Sequence, residues 1–206
     1  MRVAVPALAL ALLSGPGFAQ IGNPGFMAPD TRFESPGVPA PDQPNDNDKL
    51  FAQLAAEGGL AEVALAELAS GKAQASAVGG FARRMVEDHS AANDELAGLA
   101  EKSGIPLPDD LNPEHAAMRA RLEGLEGAAF DLAYMRGQIV DHQKTAQILI
   151  WEINSGQDGD LQRFAAGKLP TILERLQLAR GIVDELSGVT GVTPARGAEP
   201  EAPDAE

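Results

Sequence analysis

From Asp48 to Leu186 apolar residues recur every three or four positions, the spacing that lines one face of a helix rather than alternate faces of a strand. Phe51, Leu54, Gly58, Ala61, Leu65 and Leu68 form one such stripe, in a helix beginning near an Asp46/Asp48 cap. Gly58-Gly59 within it would kink the helix or admit a close neighbour. A second stripe runs through Val78, Phe81, Met85, His89, Ala92, Leu96 and Leu99, and stops where Ser103-Gly104 leads into Pro106 and Pro108. His89 thus occupies a core position. Asn112-Pro113-Glu114 offers a cap, an N1 proline and a first-turn acid for a short helix to about Glu126. Phe130, Ala133, Tyr134, Gly137, Ile148 and Leu149 predict a helix from Ala128 to Asn154. Leu161, Ala165, Ile172, Leu176, Ala179 and Val183 predict a last one from Asp160, bent at Pro170. Short connections between such helices predict an all-α, antiparallel four-helix bundle over residues 48–187, with the short helix packed at its end or side.

The flanks lack this periodicity. Met1-Arg2, the apolar run Val3 to Leu13 and Gly17-Phe18-Ala19 have the order of a signal peptide, residues 1–19, cut after Ala19. The run is shorter than the roughly 20 apolar residues that span a bilayer, so no transmembrane segment and a soluble periplasmic or secreted product are expected. Residues 20–47 carry six prolines and few large apolar side chains, which suits a disordered spacer; residues 188–206 read as a disordered acidic tail. The chain has no cysteine, which excludes disulfides, thiolate metal sites and a cysteine nucleophile. Its formal charge is −14, and −15 once Arg2 leaves with the leader, a balance that opposes nucleic acid and anionic lipid.

Within the bundle one pattern occurs twice. At an offset of 53 residues, Phe81-Ala82-Arg83 falls on Tyr134-Met135-Arg136, Asp88-His89 on Asp141-His142, and Leu96 on Leu149. Neighbouring helical residues point about 100° apart, so inward histidines leave Asp88 and Asp141 on the flanks, facing other helices. A carboxylate that takes the second imidazole N–H supports a metal-ligating histidine, and equally satisfies a buried histidine with no metal. Glu62 borders the first stripe, with Glu57 near it, and Asp131 matches Val78 in the repeat. His89, His142, Asp88, Asp141 and Glu62 are therefore the candidate ligands, a set that would suit Fe, Mn, Zn or Cu. The Glu-x-x-His pattern of carboxylate-bridged di-iron bundles is absent, since Val86 and Ile139 hold the positions three before the histidines. His115 reads as a solvent-facing residue, and Tyr134 and Trp151 as packing residues.

These residues also carry a family resemblance. Glu62 with Leu65 to Ala69, the run Phe81 to His89, Phe130-Asp131-Leu132-Ala133-Tyr134-Met135 followed by Asp141-His142, and Leu169-Pro170-Thr171 resemble exported bacterial proteins of the domain-of-unknown-function 4142 family, over about Asp48 to Leu186. The resemblance implies a ferritin-like helical bundle and export, with no established activity. Many family members have a histidine shortly after the Leu-Pro-Thr stretch where this chain has Arg175. A guanidinium there would repel a cation, and would instead pair with Asp88, Asp141 or Glu62.

Two functions remain open on the sequence. The favoured one is a non-enzymatic envelope protein, with structural Asp–His pairs, that acts through a protein partner or in stress tolerance. The alternative is a ferritin-like metal-binding protein or oxidoreductase with a His/carboxylate site in its core. Close imidazoles with an inward carboxylate favour the alternative; imidazoles far apart, or bonded to protein on both nitrogens, remove it.

Overall fold

The structure, a computed structural model, describes residues 43–188; the leader, the spacer up to Asp42 and the tail beyond Gly188 lie outside the described residues. Five helices follow: α1 (Asp46–Lys72), α2 (Ser76–Lys102), α3 (Pro113–Glu123), α4 (Gly127–Ser155) and α5 (Gly159–Leu186). The cap of α1 is Asn45, just ahead of the expected pair, because its side chain and that of Asp48 satisfy each other's backbone N–H groups. Asn112 caps α3 as expected. That helix ends three residues early, at Glu123, and Gly127, at φ +58°, opens α4 in a conformation that glycine adopts without strain. α5 continues through Pro170, which is exposed, as is Ala166, so the carbonyl that loses its helical partner faces water.

α1 and α2 form one hairpin, α4 and α5 a second; α1 packs on α4 and α2 on α5. The connection between the hairpins climbs the length of α1. Gln53 donates to the Pro106 carbonyl, Asn112 to Glu57 midway, and Lys72 at the far end to the Glu123 carbonyl. With this one long crossover every packed pair of long helices is antiparallel while α2 and α4 run the same way, a ferritin-like bundle.

Two apolar clusters fill it. One gathers Leu65, Phe81, Met85, Phe130, Tyr134 and Ile182, the other Phe51, Leu96, Leu149, Leu161, Phe164 and Ile172. Between them, at Glu62, His89, Gln138, His142 and Arg175, each long helix contributes a polar residue. The expected α1 stripe is corrected at Leu54, which is 38% exposed, while Ala52, Ala56, Gly59, Ala66 and Ala69 are buried. α1 touches both α2 and α4, so its buried arc is wider than one stripe, and its small residues let the neighbours close in. A Cβ on Gly59 would collide with the Asn93 side chain of α2, which places the glycine at a close approach inside an unbroken helix.

Each hairpin turn is pinned by a buried aspartate from the other hairpin. Asp131 of α4 accepts from Gln74 N (3.1 Å) and Ala75 N (2.7 Å), supplying the cap that α2 lacks on its own residues. Asp48 of α1 accepts from Gln157 N (2.8 Å) and Asp158 N (2.9 Å) between α4 and α5. Asp131→Ala is expected to cost about 1–3 kcal/mol in denaturant unfolding, with Asp131→Asn intermediate. Beside Asp48 lies the buried Glu152, its pKa pushed up to about 8 by burial first, then by its carboxyl–carboxyl hydrogen bond with Asp48 and by the charges of Asp48 and Asp158. Folded Glu152 holds its proton more tightly than the unfolded chain does, so stability present below about pH 4.5 is lost as the pH rises toward 8. Glu152→Gln should therefore raise the Tm at pH 8 by more than it does at pH 4; equal shifts would contradict the assignment.

Candidate metal centre

In the polar layer between the two clusters, Glu62 of α1, His89 of α2 and His142 of α4 offer one ligand atom each, all within 4.8 Å of one another. The heptad-like spacing of each helix brings them there: Glu62 lies three residues before Leu65, His89 four after Met85, His142 four before Ala146, all on core-facing arcs. The imidazole centroids are 5.9 Å apart, edge to face. Glu62 and His142 are buried; His89 is partly exposed, at the foot of a cleft.

The hydrogen bonds orient His142. Its Nδ1 lies 2.9 Å from the Gln138 carbonyl, one turn earlier. A carbonyl can only accept, so Nδ1 carries the proton and Nε2 presents its lone pair; Nε2 is buried with no partner. Nδ1 also lies 3.6 Å from Glu62 Oε1. The Gln138 amide approaches Glu62, yet neither carboxyl oxygen reaches a donor in hydrogen-bonding geometry, and the Gln138 Oε1 and Tyr134 hydroxyl are likewise buried and unpartnered.

Burial sets the charges. It raises the Glu62 pKa to about 8, reinforced by the Asp141 charge and tempered by Gln138. It lowers His89 to about 4, helped by His142 and Arg175 and opposed by Asp88. It also lowers His142 to about 4, against the Gln138 bond and with help from Arg175. Burial, then Glu62, pushes the Tyr134 phenol well above its usual range. At neutral pH the group is therefore an uncharged carboxyl facing two neutral imidazoles, with lone pairs ready for a Lewis acid.

Of the five candidate ligands, the structure brings together Glu62, His89 and His142. Asp88 points the other way, accepting from Arg175 Nε (3.1 Å) and Nη2 (2.9 Å) of α5. Asp141 turns toward a different cleft, lined with Glu62, Glu57, Glu114, His115 and Lys144. Neither histidine is held by the aspartate before it, so the expected Asp–His pairs are not the network that forms. Glu57 is hydrogen-bonded by Asn112 (3.1 Å), and Asp131 is taken up as a cap. Gln138 is not among the candidate ligands, although it precedes His142 by four residues and so shares its face. His115 is half-buried rather than solvent-facing, and its Nδ1 is shielded and unpartnered.

A family model described as "Domain of unknown function (DUF4142)" matches residues 33–182. Among solved structures, a fragment of a DUF305 protein from Deinococcus radiodurans is similar in fold, with a TM-score of 0.62 and 16% identity over 69% of this chain and 99% of that one. No curated protein matches the sequence.

An unpartnered buried carboxyl weakens the protein that carries it. Glu62→Gln and Glu62→Leu are each expected to raise the Tm of chelator-treated protein at pH 8; a fall in both would show that Glu62 stabilises the fold by itself.

Proposed function

The chain belongs to the DUF4142 family, whose membership accounts for its fold, and we propose that it binds a divalent first-row transition metal through Glu62, His89 and His142. The supporting observation is three potential ligand atoms of Glu62, His89 and His142 within 4.8 Å of one another in a buried layer where His142 Nε2 and both Glu62 oxygens have no hydrogen-bond partner. Two nitrogens and one oxygen from three helices suit Fe, Mn, Zn or Cu, and an ion at about 2.0–2.2 Å from each would require side-chain shifts that bring the three atoms to within roughly 3.0–3.5 Å of one another. Three protein ligands leave positions open to water or a small ligand. A cation there would displace the Glu62 proton, so binding strengthens as the pH rises toward 8. Arg175 is ion-paired with Asp88, which offsets part of the charge it presents to the two imidazoles.

The residues of the leader support an envelope setting, in which the protein would hold or exchange metal outside the cytoplasm. No helix among the described residues is long and apolar enough to cross a membrane. The test is metal content by mass spectrometry of untagged mature protein incubated with each of the four metals and desalted. About one equivalent in the wild type, lost in the His89→Ala/His142→Ala protein, is expected. Background metal in both would refute the proposal.

A further inference from the structure

The Glu62, His89 and His142 group meets the outside on two sides of unlike charge. His89 lines a largely apolar cleft whose charged residues are Asp88, Lys168 and Arg175. Two of the three charged residues there are cations, although Lys168 pairs with Glu95 (2.6 Å) and Arg175 with Asp88. Glu62 lines the other cleft, between α1, the crossover with α3, and α4, where Glu57, Glu114 and Asp141 stand against the single ammonium of Lys144. Lys144 is engaged by Glu114 at 3.0 Å and Glu57 by Asn112. Asp141 makes no ion pair or hydrogen bond among the described residues, and His115 on the same cleft has a buried Nδ1 with no partner.

Acidic residues alone do not make a route. Here Glu62 lines the cleft, 3% exposed, with both oxygens buried and unpartnered and one of them a member of the three-ligand group. Cleft and centre thus share a ligand, and a carboxylate can grip an incoming ion with one oxygen before the imidazoles close on it.

We infer that this second cleft is the route by which a divalent cation reaches the centre: Asp141 and His115 take the ion first, and Glu62 passes it to His142 and His89. The inference rests on the metal-binding reading. It makes Asp141, the residue beside His142, a loading group and not a resident ligand, and it gives His115 a role that its place on a short helix did not suggest. α3 contributes by carrying His115 and Glu114 over the cleft, with Asn112 and the Lys144–Glu114 pair tying that wall to α1 and α4.

The test is stopped-flow uptake of Co²⁺ by the full-length mature protein after chelator treatment, read from the cobalt ligand-field absorption, beside the equilibrium affinity. Asp141→Asn and His115→Gln, both close in shape to the native residues, are checked for folding by circular dichroism. Asp141→Asn should slow association about tenfold and His115→Gln less, while the equilibrium affinity of each stays within about threefold, because release slows in step. Added salt should bring the wild-type rate down toward that of Asp141→Asn. Lys168→Gln, on the opposite cleft, should leave the rate unchanged. Unaltered rates in both cleft variants would overturn the inference, as would faster uptake in Lys168→Gln or a loss of affinity in Asp141→Asn as large as in His142→Ala. If the wild type takes up no cobalt, the metal-binding reading falls with it; if cobalt binding depends on His89 and His142 but not on the cleft variants for its rate, the route alone is wrong.

Discussion

A carboxyl group sealed in the middle of a helical bundle, with no donor for either oxygen, is the constraint around which the molecule is arranged. An orphaned buried polar group costs on the order of 1–3 kcal/mol, and the same layer holds the His142 Nε2, the Gln138 Oε1 and the Tyr134 hydroxyl, all without partners. Apolar residues of similar size would close this gap between the two clusters. Polar groups left unmatched in one layer, within reach of one another, are the local inconsistency expected where a protein binds something.

The remainder of the fold keeps that layer in register. Asp131 and Asp48, each reaching from one hairpin to the turn of the other, fix the two ends of the bundle, and the layer lies between them. Small residues on α1 let α2 and α4 approach, so that Glu62 meets histidines from both. The crossover, tied to α1 at Gln53, Glu57 and Lys72, covers the remaining face and leaves the cleft beside Glu62. The 53-residue repeat is seen in space as two histidines at one level, contributed by helices that run in the same direction.

The fold was legible because helical periodicity, caps and glycine stops act locally: Asn112-Pro113 starts α3 and Ser103-Gly104 ends α2 where the pattern says they should. Membership of the family followed from the Phe81 to His89 and Phe130 to Met135 runs. The convergence of His89 and His142 was readable from their common register. Which carboxylates accompany them was not, because that depends on rotations between helices that no local spacing encodes. Asp88 lies next to His89 in sequence, yet α5 passes on its side and Arg175 pairs with it, one of the three carboxylates expected as its partner. Asp131, which the repeat aligns with Val78, is drawn to the free N–H groups of the α1–α2 turn. His115, expected to face solvent on the short helix, lines a cleft with Asp141 and Lys144 of α4 instead.

Anomalous diffraction from crystals of the metal-loaded protein tests most directly whether an ion sits between the three side chains. A single strong peak about 2.0–2.2 Å from a Glu62 oxygen, the His142 Nε2 and one His89 nitrogen is the predicted result. No peak in that layer, or peaks confined to surface carboxylates, would contradict it.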